Sequence, residues 1–114
     1  LMKNFIKDLK TYGCKIAIDD FGTGYSNFSH ILELDVDYLK IDASLIKDIT
    51  TNESSKVIVQ GIVDFSKRLN IKTIAEYVES KEILDLLEKI GVDYAQGYYI
   101  GKPEVDIIWL KKLA

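Results

Sequence analysis

Acidic residues end two β-branched runs of this 114-residue chain. Asp19 and Asp20 end the run that begins at Lys15, and Glu76 ends the run that begins at Lys72. Adjacent carboxylates repel each other unless a cation lies beside them, and oxygen ligands of this kind suit Mg²⁺ or Mn²⁺ rather than zinc. The three carboxylates are therefore candidate metal ligands. The spacing equally allows one aspartate to cap a turn while the other faces solvent.

Lys40 is the basic residue of the same pattern. In a strand over 38–42, Leu39 and Ile41 would face the helices, which turns Lys40 and Asp42 towards the opposite face. A lysine on that face needs a partner, which is Asp42 or another carboxylate in a structural ion pair, or an anionic substrate. Paired metals can clamp the attacking and leaving oxygens of a phosphodiester, and Lys40 would add a positive charge beside them.

Four further residues are candidates for substrate binding. The turn Gly22-Thr23-Gly24 can bring the backbone close to a ligand, although one glycine-rich turn alone is weak evidence for phosphate binding. We assign Gly22 and Thr23 to this role, together with Asp42 and Gln96 on two predicted strands. A solvated strand terminus would explain any single polar residue of this kind. Such residues lie at the ends of the first three predicted strands, and Gln96 lies within the fourth. Their occurrence in all four strands favours a ligand site instead.

Strands and helices alternate along the chain. An opening helix ends at Gly13, and 49–54 is a polar loop. The predicted strands cover 15–20, 38–42, 72–76 and 95–100. The helices that follow them are predicted over 28–34, over 55–69, between the cap residues Ser80 and Gly91, and from Pro103 with Lys111 and Lys112 near the end.

Apolar spacing predicts the buried faces of two helices. The face predicted for helix 55–69 consists of Val57, Ile58, Ile62, Phe65 and Leu69. The face predicted for the helix after Ser80 consists of Ile83, Leu84, Leu87 and Ile90.

The alternation of elements defines the fold class. Short crossovers between strands imply parallel pairing through right-handed βαβ units, so the class is α/β. A closed (β/α)8 barrel takes eight such units and about 250 residues. Residues 1–114 therefore predict one domain with the content of half a barrel, namely a partial (β/α)8 TIM-like barrel of four βα units preceded by a helix.

Bulk composition excludes several kinds of protein. A net charge of −3 and a pI near 5.1 give no electrostatic footprint for polymeric nucleic acid. The single Cys14 cannot form an internal disulfide, and the lone His30 cannot anchor a zinc site of the usual type. The chain has no apolar run of about 18 residues and opens with no signal segment, so we expect a cytoplasmic location without a membrane span.

Four segments in register resemble the later motifs of the EAL domain. They are 19–26 (DDFGTGYS), 38–42 (YLKID), 75–79 (AEYVE) and 96–103 (QGYYIGKP). The resemblance implies a (β/α)8-barrel-like fold and hydrolysis of the bacterial messenger cyclic di-GMP to linear pGpG with Mg²⁺ or Mn²⁺. It identifies residues 1–114 as the C-terminal half of such a domain, preceded in the family by an N-terminal half that carries the Glu-Ala-Leu signature.

The resemblance also implies individual roles. Asp19 and Asp20 would be metal ligands, with Asp19 placed to bridge two ions, and Glu76 would bind the second metal. Lys40 would hold the attacking water, so that Lys40, Glu76 and Asp20 form the catalytic set. Part of the two-metal site belongs to the N-terminal half, and we therefore expect residues 1–114 to be inactive alone.

Three positions concern the surroundings of the metals. The resemblance implies that Gln96 lines the site and that Glu79 supports the loop over 21–26. Tyr77 departs from the family pattern, which usually has glycine after the Ala-Glu pair. The shape of that edge of the site therefore does not follow from the family.

Alternative functions and partners stay open at this stage. A non-catalytic module that binds cyclic di-GMP or a protein partner would retain the fold without turnover. A response-regulator receiver domain has a similar repeat with an Asp-Asp pair and a late Lys-Pro, but it needs an aspartate where Glu76 stands and begins with a strand. Half a barrel also leaves two open strand edges, so we expect a homodimer.

Overall fold

A parallel sheet with helices packed on it forms the core of the computed structural model, which describes residues 2–22, 31, 35–97 and 110–112. Strands β1 (Ala17–Phe21), β2 (Tyr38–Ile41), β3 (Lys72–Ala75) and β4 (Tyr94–Gln96) lie side by side in chain order and all run parallel. The described helices are α1 (Met2–Thr11), α2 (Ala43–Lys47), α3 (Glu53–Arg68) and α4 (Lys81–Ile90). The predicted α/β class and the parallel order are confirmed.

Polar caps fix the ends of the long helices. The Asn52 side chain accepts the Ser55 N–H at the start of α3, and the Ser80 hydroxyl accepts the Ile83 N–H at the start of α4. Gly91 ends α4 in the left-handed conformation, with φ at 102°, and donates its N–H to the carbonyl of Leu87. The predicted caps of α4 are therefore confirmed.

The core lies between the sheet and the helices. Leu39 and Ile41 of β2 are fully buried, whereas Tyr38 and Lys40 on the opposite face are partly exposed, as strand alternation predicts. The predicted face of α4 is buried as expected, through Ile83, Leu84, Leu87 and Ile90. Within the described ranges, no helix is both long enough and apolar enough to cross a bilayer.

The predicted buried face of α3 is largely wrong. Val57, Ile58 and Leu69 are each about half exposed or more, at 61%, 47% and 48%. The helix instead packs through a neighbouring face, which consists of Ser55, Val59, Ile62, Val63 and Ser66. Two serines belong to this face, and a pattern based on apolar residues alone assigns serine to solvent.

The prediction for the C-terminal segment is also wrong. Lys111 and Lys112 were expected near a helix end, but they lie in β5 (Leu110–Lys112), which pairs antiparallel with β4. Pairing with β5 satisfies backbone groups along the β4 edge, which half a barrel would otherwise leave open. The helix predicted over 28–34, Ile31 apart, the end of the fourth strand and residues 103–109 lie outside the described residues.

Two aspartates tie strands together at their amino ends. Asp37 precedes β2 and accepts the N–H of Ile16, just before β1, at 2.8 Å. Asp93 precedes β4 and accepts the N–H of Thr73 in β3 at 2.9 Å. Both aspartates stand in Val-Asp-Tyr triplets, 36–38 and 92–94. The aspartate of each triplet therefore joins one pair of strands at their amino ends, whereas Glu76 lies at the carboxyl end of β3.

Lys10 of α1 reinforces the first of these ties. Its Nζ lies 2.9 Å from Asp37 Oδ2 and 3.1 Å from Asp35 Oδ2. Burial opposes the charge of Asp37, but the Ile16 N–H and Lys10 outweigh it and lower the pKa of the carboxyl. Burial likewise opposes the charge of Lys10, but its hydrogen bonds to Asp37 and Asp35 raise the pKa of the ammonium.

Ser66 supplies a prediction about stability. Its hydroxyl is fully buried and has no hydrogen-bond partner among the described residues. Because an unpaired buried hydroxyl is costly, we expect Ser66→Ala to raise the free energy of unfolding by about 1 kcal/mol. Thr73→Val is the control, since the buried Thr73 hydroxyl is paired with Asp93 and its loss should destabilise. Urea unfolding measures both variants, and a destabilised Ser66→Ala protein would contradict the expectation.

Candidate metal centre

The structure brings together the three carboxylates that the sequence singled out. Asp19 and Asp20 belong to β1, and Glu76 directly follows β3. One oxygen of each residue lies within 4.8 Å of the oxygens chosen from the other two. Parallel strands end at the same edge of a sheet, which is why residues from β1 and β3 meet although β2 lies between them.

An irregular backbone lets both aspartates reach the same point. In a regular strand, the side chains of Asp19 and Asp20 would point to opposite faces. The pairing of β1 with β2 shifts register between Ile18 and Phe21, and Asp20 has a φ of 52° in the left-handed region. Aspartate adopts this region more readily than most residues. The Asp19 carboxylate accepts the Asp20 N–H at 3.0 Å, which steadies the turn.

Lys40 pairs with Glu76 across the neighbouring strands. Its Nζ lies 3.6 Å from Glu76 Oε1, and both side chains are partly exposed, at 28% and 22%. Of the partners considered from the sequence, the structure gives Lys40 another carboxylate rather than Asp42. Burial, and then the nearby charge of Asp19, raise the pKa of Glu76, while Lys40 opposes the shift. A divalent cation at this point would relieve the repulsion among the three carboxylates.

Asp42 has a structural role beside the cluster. It is the N-cap of α2, and its carboxylate accepts the Ser44 N–H at 2.9 Å and also the Ser44 hydroxyl. Its own N–H donates to the carbonyl of Phe21, which links the ends of β1 and β2. The assignment of Asp42 to substrate binding stays a prediction.

The glycine turn after β1 is only partly described. Gly22 has a φ of 105°, and a Cβ at this position would overlap with the Leu45 side chain. Backbone conformation and packing therefore both favour glycine here, independently of any ligand. Thr23 lies outside the described residues, and its predicted contact with substrate stays a prediction.

The segment after Glu76 packs against the end of β4. Gln96 is partly buried, and its carbonyl accepts the N–H of the fully buried Val78 at 2.9 Å. Tyr77 is 53% exposed and has a φ of 65°, a left-handed conformation in the position where the family pattern usually has glycine. Glu79 is exposed, and most of the loop that it was predicted to support lies outside the described residues.

Sequence reasoning missed Gly97. A Cβ on this residue would overlap with the backbone N and O of Val78 and would lie 2.8 Å from its carbonyl carbon. A glycine directly after a strand can indicate such a close approach of two backbones. The sequence alone does not say which backbone approaches it.

The donor set of the cluster defines its chemistry. Three carboxylates supply hard oxygen ligands, and no thiol or imidazole belongs to the cluster as the structure describes it. Such a site fits Mg²⁺ or Mn²⁺ better than zinc. A neighbouring lysine that pairs with one ligand can also contact an anionic group bound at the metal.

Comparison with known proteins identifies the family. The EAL domain model matches residues 2–103. The chain is 42% identical over 99 residues to the cyclic di-GMP phosphodiesterase PdeB of Shewanella oneidensis, covering 87% of the chain and 12% of that protein. It is 46% identical over 99 residues to an Escherichia coli K12 protein named probable cyclic di-GMP phosphodiesterase PdeA, covering 87% of the chain and 14% of that protein.

A solved structure agrees with the sequence matches. The EAL domain of Mycobacterium smegmatis DcpA superimposes with a TM-score of 0.84 at 34% identity, over 90% of this chain and 46% of that one. The chain thus spans less than one fifth of the two curated relatives and about half of the solved domain. The partial (β/α)8 architecture is confirmed by this likeness. On the match over 2–103, the chain belongs to the EAL domain family.

Proposed function

We propose that this chain forms the C-terminal half of an EAL domain and supplies part of a two-metal site that hydrolyses cyclic di-GMP to linear pGpG. The observation that carries the proposal is the cluster of Asp19, Asp20 and Glu76, in which one oxygen from each residue lies within 4.8 Å of the other two. The names of the two curated relatives support the substrate, and the coverage of 46% of a solved EAL domain supports the assignment to one half.

The positions of the side chains support the proposed roles. Asp19, Asp20 and Glu76 would hold Mg²⁺ or Mn²⁺, and the bound metal would supply an activated water and neutralise charge on the phosphodiester. Lys40 is held beside Glu76 at 3.6 Å, so its ammonium can orient that water or bind a phosphate oxygen. Together with Lys40, Asp20 and Glu76 would form the catalytic set through the metal that they would hold.

Substrate binding would involve the residues around the carboxylates. We assign Gly22, Thr23, Asp42 and Gln96 to the side of the site that contacts the nucleotide. Glu79 would support the loop over 21–26 and thereby the position of the metals. For Gln96, the described register supports this role, because it follows Ala95, the partner of Ala75, and so lies level with Glu76.

Partners of the chain are part of the proposal. The sheet face that carries Lys40 is partly exposed, and we propose that this face and the β1 edge contact the N-terminal half of the domain. We propose a homodimer in addition. The single cysteine fits a location in the reducing cytoplasm.

A chromatographic assay of cyclic di-GMP turnover tests the proposed function. The chain is assayed alone and joined to the N-terminal half of the EAL domain of its E. coli relative, in each case with Mn²⁺. We expect pGpG from the joined protein only, because residues of both halves contribute metal ligands. A chelator should abolish the activity, and Mg²⁺ or Mn²⁺ should restore it. Binding of cyclic di-GMP by the joined protein without any turnover would overturn the proposal in favour of a non-catalytic module.

A further inference from the structure

The backbone around Glu76 is fixed on both sides. Ala75 is fully buried and pairs with Ala95 in the sheet. Val78 is also fully buried, and its N–H donates to the Gln96 carbonyl at 2.9 Å. Only two residues, Glu76 and Tyr77, lie between these fixed points. The position of the Glu76 carboxylate therefore depends directly on where Val78 is held.

Gly97 sets the position of Val78. The two backbones approach so closely that a Cβ on residue 97 would overlap with Val78 N and O, and would lie 2.8 Å from Val78 C. These are backbone atoms of a buried, hydrogen-bonded residue, so they cannot move aside without moving the segment. The overlap at Gly22 differs in kind, because there the nearest atom is the flexible end of Leu45.

The conformation of Tyr77 shows how strongly the fixed residues Ala75 and Val78 constrain the two residues between them. Its φ of 65° lies in the left-handed region, which is sterically unfavourable for a residue with a side chain. The ring is 53% exposed, so burial of the side chain does little to offset this cost. The anchored residues on each side therefore impose the bend that follows Glu76.

We propose that Gly97 is a positioning residue for the metal site, which acts by holding the Tyr77–Val78 backbone so that the Glu76 carboxylate lies beside Asp19 and Asp20. The inference rests on the proposed metal-binding function. It goes beyond that function because Gly97 has no side chain and contributes no ligand atom. Its contribution is the space that lets two backbones meet.

Substitution of Gly97 tests the inference through Mn²⁺ affinity, measured by isothermal titration calorimetry. Gly97→Ala should push Val78 away and lower the Mn²⁺ affinity about 10-fold. This is the size of loss seen when residues that orient metal ligands are replaced. Gly61→Ala is the matched control, since Gly61 lies in α3 and a Cβ there meets no atom within 4 Å. The control should bind Mn²⁺ as the unsubstituted chain does. A folded Gly97→Ala protein with unchanged affinity would overturn the positioning role.

Hydrogen exchange on the unsubstituted chain gives a second test that does not depend on the folding of a variant. The proposal implies that the packing of Val78 against Gly97 favours metal binding. Coupling is reciprocal, so metal binding must also stabilise this packing, and saturating Mg²⁺ must slow exchange of the Val78 amide. The Thr73 amide is the internal control, since it donates to Asp93 at the opposite end of β3. We expect slowing of several-fold at Val78 and little change at Thr73.

The outcomes separate the inference from the function on which it rests. Unchanged exchange at Val78 with Mg²⁺ bound would overturn the role of Gly97 and leave the metal site standing. No binding of Mg²⁺ or Mn²⁺ by the unsubstituted chain would overturn the proposed metal site, and the positioning role with it.

Discussion

Replacement of Asp19 by asparagine should lower the Mn²⁺ affinity of the chain by at least about 100-fold. Substitution of residues that only support metal ligands lowers affinity by up to about 100-fold, and loss of a ligand should cost at least as much. Asparagine keeps the shape of the side chain and can still accept the Asp20 N–H, which the aspartate accepts at 3.0 Å. The fold should therefore persist while one negative ligand is lost. Calorimetric titration with Mn²⁺ measures the affinity, and thermal unfolding checks the fold.

Asp85→Asn is the control for the change in net charge. Asp85 is exposed on α4 and does not belong to the carboxylate cluster. The control should leave Mn²⁺ affinity unchanged, because the loss of a distant exposed charge is screened by salt. Equal losses in the two variants would show that Mn²⁺ responds to overall charge and would argue against a defined site.

Removal of the Asp37 side chain should cause the largest loss of stability among the polar substitutions considered. Asp37→Ala leaves the Ile16 N–H without its acceptor at 2.8 Å and Lys10 without its partner at 2.9 Å. Hydrogen bonds to charged groups of this kind contribute about 2 kcal/mol or more. Urea unfolding at neutral pH should show this decrease. Asp35→Ala tests the same lysine, but Asp35 is 83% exposed, and its loss should cost less than about 1 kcal/mol.

The pH dependence of this tie follows from the lowered pKa of Asp37. Because the pKa is lower in the folded protein than in the unfolded chain, the stabilisation is fully present above the unfolded value and is lost as pH falls through the folded value. The difference in unfolding free energy between the unsubstituted and Asp37→Ala proteins should therefore shrink below about pH 4. If the difference in unfolding free energy stayed constant at acidic pH, the ionised carboxylate of Asp37 would not be the source of the stabilisation. The pKa of Lys10 is raised, so the stabilisation that its charged ammonium contributes is lost instead as pH rises through the alkaline range.

The sequence predicted correctly those features that depend only on residues close to one another in the chain. Ser80 and Gly91 bound α4 because capping depends on hydrogen bonds within one helical turn. Leu39 and Ile41 are buried because strand alternation has a fixed period of two. The meeting of Asp19, Asp20 and Glu76 followed from one further rule, which is that parallel strands end at a common edge.

Other features depend on contacts between distant segments. The buried face of α3 includes Ser55 and Ser66, which apolar spacing alone assigns to solvent. Strand β5 pairs with the edge of β4, a contact between segments distant in sequence, and its own short sequence carries little strand signal. The common direction of Asp19 and Asp20 requires a register shift that no pattern of residue types predicts. The close approach of Gly97 to the Val78 backbone likewise depends on where Val78 lies in space.

The two Val-Asp-Tyr triplets have a consequence for divergence among descendants of this chain. Asp37 and Asp93 tie strands at their amino ends, whereas the carboxylates of the candidate site lie at the carboxyl ends. The ties that stabilise the sheet and the candidate site thus lie at opposite ends of one sheet, a division known from parallel barrels. A lineage can therefore lose Asp19 or Glu76 by drift without losing the ties that keep the sheet folded. The proposed catalysis would disappear first, and a folded scaffold would remain for selection to reuse.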